Sequence, residues 1–332
     1  MQVERKKLLT ALQEVSRGLA SKETVEQSKC FVFQDGKIYT YNEEIACVIT
    51  SPIELEGAVN AGPLLEVLKR VPDEELTISQ SEGELLIKGK SRRTGITLQS
   101  EIRLPINHLE EPTKWQKAPG EFLQSLLSTA ECVSKDGDHF DISCVHVTPS
   151  WVESCDNYQI SRYEIETGIS EPCLIRGSSV KQLSELKITK IAISEAWFHF
   201  QTDVGLRISI RRYLGDYKDL SQFLTEDGNP LHLPAGIESA IEKAQIFSSL
   251  RDDGDVVIVS LKEGAILVEG RADVGWYQEK AKLNYSGPVV KFSISAKLLL
   301  QFTKRHSQCL LSENRMVVRD GNFVWAGCLG AV

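Results

Sequence analysis

Apolar positions along this chain change period in a fixed order. In ERKKLLTALQEVSRGLA (4–20), Leu8, Leu9, Leu12 and Val15 recur at the spacing that gathers them on one face of a helix. In KCFVFQDGKIYTYNEEIACVIT (29–50) the pattern becomes that of strands, and Asp35-Gly36 marks a hairpin turn. NAGPLLEVLKRV (60–71) returns to the helical period, and ELTISQSEGELLIKG (75–89) reads as a closing hairpin. The order is helix, three strands, helix, hairpin.

That order occurs twice more. Helices are predicted over GEFLQSLLSTAECVS (120–134) and GSSVKQLSELK (177–187), with strands over 140–167 between them and the hairpin KIAISEAWFHFQ (190–201) after them. The last third repeats it with GIESAIEKAQIFSSL (236–250), strands over 256–285, SAKLLLQFTKRH (295–306) and strands over 307–329. Two proline-bearing stretches, EEPTKWQKAPG (110–120) and GNPLHLPAG (228–236), separate the thirds, since proline favours extended chain over continuous helix. The expected organisation is α+β, with three similar domains at 1–112, 113–229 and 230–332, each carrying two helices on antiparallel sheets. Repeats of this kind can close one another's sheet edges, which none can do alone.

Charge adds a second pattern. The chain of 332 residues is acidic, with a formal net charge of -8. The six helical stretches (4–17, 61–71, 120–135, 177–187, 236–250 and 295–306) nevertheless carry +5 between them, which leaves -13 elsewhere. Positive helices in an acidic protein point to local, sequence-independent contact with phosphates. For Lys69 and Arg70, at the end of the 60–71 helix, a plainer reading also exists, because cations suit the free carbonyls of helix C-termini.

Candidate chemistry is sparse. The eight cysteines have no CxxC pairing, and Cys132, Cys144 and Cys155 alternate with apolar residues as core-filling thiols do. No GxxxxGK[ST], GxSxG or HExxH is present, so no catalytic residue, metal or cofactor is expected. No apolar run approaches the roughly 18 residues of a membrane helix, and reduced thiols fit a cytoplasmic protein. A non-enzymatic repeat adaptor that does not encircle DNA is the alternative reading.

Several stretches carry a resemblance in chain order: VERKKLLTALQEVSRGLA (3–20), LLEVLKRVPDEELTISQSEGELLIKGKSRRTGITL (64–98), WVESCDNYQISRYEI (151–165), YLGDYKDL (213–220) and LNYSG (283–287). Together they resemble the bacterial-type sliding clamps, the beta subunits of replicative DNA polymerases. The somewhat short chain fits a divergent or phage-encoded member. The resemblance implies a clamp fold in which two subunits close a ring around double-stranded DNA. It also implies partner polymerases and a clamp loader that dock through short peptides.

The resemblance also implies site residues. Lys22, Lys69 and Arg70 would face DNA, with Lys6, Arg17, Lys181, Lys297 and Lys304 as further candidates. The partner-peptide pocket would use Cys155, Asp156, Tyr158, Ile160, Pro234, Lys243, Val324 and Leu329. The family's glycine-histidine-arginine turn reads Asn157-Tyr158-Gln159 here, which alters the expected peptide preference. The subunit interface would set Lys90, Arg92, Arg93 and Ile96 against Ile246, Phe247 and Glu279. Lys280 and Lys282 interrupt the acidic run expected there.

Overall fold

The computed structural model describes residues 1–135, 139–250 and 254–332. The elements fall into three successive series. The first holds β1 (Gln2–Glu4), α1 (Arg5–Val15), β2 (Cys30–Gln34), β3 (Lys37–Tyr41), β4 (Ile45–Thr50), β5 (Gly57–Asn60), α2 (Ala61–Arg70), β6 (Glu75–Ser81), β7 (Glu84–Lys88) and β8 (Arg93–Gln99). The second holds β9 (Gln116–Lys117), α3 (Phe122–Thr129), β10 (Cys144–Val147), β11 (Trp151–Cys155), β12 (Gln159–Glu164), β13 (Cys173–Arg176), α4 (Gly177–Val180), β14 (Ile188–Ile193), β15 (Trp197–Thr202) and β16 (Arg207–Arg211). The third holds β17 (Asn229–His232), α5 (Ile237–Ser248), β18 (Val256–Lys262), β19 (Ala265–Ala272), β20 (Gly275–Lys282), β21 (Val290–Ser295), α6 (Ala296–Thr303), β22 (Gln308–Leu311), β23 (Arg315–Asp320) and β24 (Phe323–Cys328).

Each series therefore runs strand, helix, four strands, helix, three strands. The short leading strand and the fourth strand before the second helix were not legible in the apolar pattern. Pairing repeats as well. The leading strand joins the strand after the second helix, as β1 with β6, β9 with β14 and β17 with β22. The first and fourth strands of each set pair antiparallel, as β2 with β5, β10 with β13 and β18 with β21. The last strand reaches back to that fourth strand, at Val59↔Leu98, Leu174↔Tyr213 and Ser293↔Gly330.

Local chemistry sets the ends. Asp35 and Gly36 both take positive φ (50° and 68°), the conformation of a two-residue turn matched to strand twist, and join β2 to β3. Asn60 caps α2, its side chain accepting from the Gly62 N–H at 3.1 Å, and Val71 turns extended ahead of Pro72. All six helices are shorter than predicted, and for two the reason is local. In α3 the Ser125 and Thr129 hydroxyls bond back to the carbonyls of Phe122 and Ser125, which competes with helix continuation. α4 has four residues and passes into a 3-10 turn over Lys181–Leu183, in keeping with its Gly-Ser-Ser start.

The chain divides into two compact units. One comprises residues 1–131, 144–151 and 165–216. It contains a sheet of order β1-β6-β7-β8-β5-β2-β3-β4-β16-β15-β14-β9. Both faces of β15 are covered. Phe198 and Phe200 stack (4.7 Å between centroids) beneath Phe122 of α3, while Trp197 meets Tyr41 edge-on and lies under the Arg211 guanidinium. His199 is fully buried, with Nε2 2.9 Å from the Ser194 hydroxyl, Nδ1 2.8 Å from the Ser209 hydroxyl and Trp115 against its edge.

The second unit comprises residues 132–143, 152–164 and 217–332. Its four-stranded sheet, β20-β19-β18-β21, turns Val257, Val259, Leu261, Ile266, Val268, Phe292 and Ile294 into a core with Ile237, Ile241 and Ala244 of α5 and Leu299 and Phe302 of α6. A Cβ on Gly270 would lie 1.8 Å from the Ala244 carbonyl oxygen, so this glycine is what lets α5 sit close on β19. A second sheet runs β12-β24-β23-β22-β17.

Burial, followed by the nearby Arg207 charge, pushes the His199 pKa down to about 4, outweighing Glu110 and Glu111. Protons therefore bind the unfolded chain first as pH falls below the ordinary histidine value of about 6.5, and native stability falls until pH reaches about 4. That loss should be of the order of 3 kcal/mol, and His199→Gln should flatten it. Denaturant melts of the first unit between these pH values provide the check.

Candidate functional site

The cations predicted to face DNA occupy four places. At the end of α1, Arg17 donates through Nη1 to the Gln182 carbonyl at 2.9 Å, which brings the first helix to the 3-10 turn that carries exposed Lys181. Arg17 and Lys22 line one polar cleft of about 470 Å³ with Ser21, Ser178, Ser179 and Gln182. Lys6 sits apart from that cleft, on another of about 540 Å³ with Lys7, Thr10 and Glu14. In the other unit, Lys297 and Lys304 stand exposed at opposite ends of α6, two turns apart on one face.

Lys69 and Arg70 occupy the last turn of α2. Both pair with Glu66, at 3.6 and 2.8 Å, and both stay exposed. The plain capping role belongs to Arg5. Its Nη1 donates to the Leu68 carbonyl at 2.9 Å and its Nε to the Asp73 carbonyl at 3.1 Å, so α1 closes the C-terminus of α2. Lys69 and Arg70 are thereby left at the surface, with no helix end to satisfy.

The predicted peptide-pocket residues all belong to the second unit, and five of them come together. Asp156 folds the turn between β11 and β12, its Oδ1 accepting from the Tyr158 and Gln159 N–H groups at 2.7 and 2.8 Å. Tyr158 is left 64% exposed at the tip. Ile160 packs on one side against Ile142, Cys155 and Leu220, and on the other against Leu224, Val317, Val324 and Ala326. Gln159, where the family carries arginine, turns inward. Its Nε2 donates to Asp156 at 3.0 Å, and its Oε1 accepts from Trp325 Nε1 at 3.1 Å and faces Cys132 Sγ at 3.4 Å. Burial pushes the Cys155 thiol up, against the hydrogen bond from Tyr217.

The other three lie elsewhere. Leu329 joins the core under α5 and α6, Pro234 precedes α5, and Lys243 reaches Glu279 at 2.9 Å across β20. Sequence reasoning missed Tyr217, Leu220 and Leu224, which form the wall beside Ile160. The spacing of Tyr217, Leu220 and Leu224 in YLGDYKDLSQFL carried that signal, as one apolar side of an otherwise polar segment.

The predicted interface residues form two surfaces, one in each unit. Asp73, nearly buried, holds the β7–β8 turn by accepting from the Lys90 N–H (3.0 Å) and Arg92 (3.2 Å), and these bonds lower its pKa. Arg92 thus has a partner in its own unit. Arg92 and Arg93 rim a cleft of about 380 Å³ floored by Val67, Val71, Leu76 and Ile87, and Ile96 is buried on β8. In the other unit Phe247 lies over Gly275, Ile246 and Leu250 are exposed at the end of α5, and Val274 and Trp276 are exposed at the start of β20. Glu279 is held below its usual pKa by bonds from Tyr277 and then Lys243. Among the described residues, no group of His, Cys, Asp or Glu could hold a metal ion.

The roles of Arg5 and of the Lys69-Arg70 pair separate by stability. Arg5→Leu removes two charge-assisted bonds and should cost about 1–3 kcal/mol. Lys69→Ala/Arg70→Ala breaks only exposed pairs with Glu66 and should stay within about 1 kcal/mol. Urea titrations of the two variants beside the parent give the comparison.

No family model matches this chain, and no curated protein does. Solved structures match it along its whole length. The DNA polymerase III beta chain of Streptococcus pneumoniae superposes with TM-score 0.85 at 15% identity, covering 100% of this chain and 99% of that one. The DNA polymerase sliding clamp of Bacillus subtilis gives 0.83 at 17%, covering 100% and 98%. A sliding clamp of Pseudomonas aeruginosa, bound to griselimycin, gives 0.82 at 14%, covering 100% and 99%. The chain has the fold of these DNA polymerase sliding clamps.

Proposed function

We propose that this chain is a sliding clamp, two copies of which close into a ring around duplex DNA and hold a replicative polymerase there. The observation that carries the reading is the way one series joins the next. β16, the last strand of the second series, pairs with β4, the third strand of the four in the first. β24, the last strand of the third series, pairs with β12, the third strand of the four in the second. By the same rule β8 should pair with β20. Among the described residues the 93–97 part of β8 pairs only with β7, and β20 pairs only with β19. Two long strand edges thus await each other in a second copy, and exposed edges of this kind are normally covered. With each series taken as one domain (1–112, 113–229 and 230–332), two copies make a closed six-domain ring.

The apolar surfaces agree with that joint. Ile246 and Phe247 flank β20, and the cleft floored by Val67, Val71, Leu76 and Ile87 flanks β8. Lys22, Lys69, Arg70, Lys6, Arg17, Lys181, Lys297 and Lys304 lie on or beside helices, where phosphate contact without base contact would leave a ring free to slide. Exposed Tyr158 and half-buried Ile160, backed by buried Cys155 and Val324, suit an apolar peptide motif of a polymerase or clamp loader. The reading includes no chemistry of its own, and it places the protein in the cytoplasm.

Sedimentation tests the ring first. The 37.1 kDa chain should run at twice that mass, and Ile246→Asp should reduce it to a monomer that keeps its fold. A parent that stays monomeric at high micromolar concentration removes the proposal. Once loaded, the ring should remain on closed circular DNA and leave when the circle is cut. Lys22→Ala/Lys69→Ala/Arg70→Ala should lower that retention without lowering the dimer mass.

Salt should act with opposite signs on the two associations. Residues 88–97 carry Lys88, Lys90, Arg92 and Arg93 with no acid, and β20 carries Lys280 and Lys282 against Glu279. Raising salt from about 0.05 to about 0.3 M screens this repulsion. Dimers should therefore tighten several-fold in a dilution series, while DNA retention weakens.

A further inference from the structure

The face of the four-stranded sheet away from α5 and α6 meets the proposed joint only along its edge strand, β20. Strand alternation fixes its residues. Val257, Val259 and Leu261 of β18, with Ile266 and Val268 of β19, point into the helix-covered core, so Ile258, Ser260 and Lys262 and then Ala265, Leu267, Glu269 and Arg271 point the other way. On β20 the same face shows Trp276, Gln278, Lys280 and Lys282, and on β21 it shows Lys291 and Ser293.

The register sets these residues in rows. One row runs Lys291, Ser260, Leu267, Lys280, each directly opposite the next. The adjoining row runs Lys262, Ala265, Lys282. Strand spacing puts Lys291 and Lys280 about 14 Å apart, and Lys280 and Lys282, two residues apart on one strand, about 7 Å apart. All four lysines are exposed, and none pairs with an acid among the described residues. The acid nearest along the face, Glu269, is held by Arg271 and Gln278, each at 3.0 Å. The floor between the lysines is Ser260, Ala265 and half-buried Leu267.

We infer that this open sheet face is a docking surface for an extended acidic segment of a partner protein. The argument is charge complementarity: four unneutralised lysines concentrate at one end of a flat face, on a chain whose net charge is -8. The 7 Å step between Lys280 and Lys282 matches carboxylates on alternate residues of an extended peptide. The neutral, partly apolar floor accepts a small apolar side chain between them. A single-stranded nucleic acid fits less well, because stacking needs successive bare aromatic rings. This face offers one, Trp276, and the Arg271 guanidinium lies over it at 5.8 Å.

The test uses the full-length protein and a fluorescein-labelled Glu-rich decapeptide, with a Lys-rich decapeptide and decathymidylate as controls. Anisotropy at low salt should show binding of the acidic peptide alone. Lys262→Glu/Lys291→Glu, on β18 and β21 away from the proposed joint, should weaken it by about tenfold, with unchanged circular dichroism and sedimentation mass. Lys262→Gln/Lys291→Gln, a milder change, should weaken it in the same direction and stands in if the reversal variant does not fold. Equal affinity of the neutral variant and the parent overturns the inference, and so does preference for decathymidylate. Neither outcome depends on ring formation or on duplex binding, which sedimentation and retention on circles report separately.

Discussion

The structure depends on one kind of joint, the antiparallel pairing of the last strand of one series with the third strand of the series before it. Two such joints occur, β16 on β4 and β24 on β12, each with a continuous register of four or more residues. Backbone hydrogen bonds make such a joint stiff, because a slip of one residue would turn every side chain to the wrong face. Stiff joints between like parts fix a constant step from one part to the next, and a constant step leads to closure. The chain stops one joint short, with β8 and β20 unmatched. That incompleteness, more than any single side chain, supports reading the molecule as half of something.

Charge then has to be distributed around that frame. Helices and strands both carry net positive charge, the strands with sixteen Lys and Arg against eight Asp and Glu, so the compensating acid lies in the segments that connect them. The helices' share would be lost from the surface if their cations were used up inside the fold. Arg5 shows how this is avoided, since it donates to the Leu68 carbonyl while the Val71 N–H serves Val67, and Lys69 and Arg70 stay outside. Arg17 is a compromise: it donates to the Gln182 carbonyl and still lines the cleft that holds Lys22.

Much of this was legible in the sequence because it depends on period. The six helices, the Asp35-Gly36 hairpin and the threefold order follow from apolar spacing and turn chemistry. What was illegible depends on partners distant in sequence. β1, β9 and β17 are too short to show a period and exist through pairing with β6, β14 and β22. α4 ends early for a local reason, yet its helical face looked complete. Leu329, read as part of the pocket, lies in the core under α5 and α6, because the position of a residue near the chain end does not reveal which sheet face it takes. Tyr217, Leu220 and Leu224 were hidden in a segment whose apolar residues, taken together, follow neither the helical nor the strand period.

The pocket surface also shows why a single substitution can change chemistry without changing shape. An arginine at position 159 would bring a charge that burial beside Trp325 and Cys132 could not tolerate unpaired. Glutamine there can satisfy Asp156 and Trp325 at once, donating to one and accepting from the other. Neutrality of the inner wall follows, and under the proposed function exposed Tyr158 would be the group offered to a peptide. Recognition at such a surface must come from apolar contact and from the few polar atoms at its rim. A peptide that relied on a carboxylate to find an arginine would gain nothing from this wall. One with aromatic or aliphatic anchors would lose nothing.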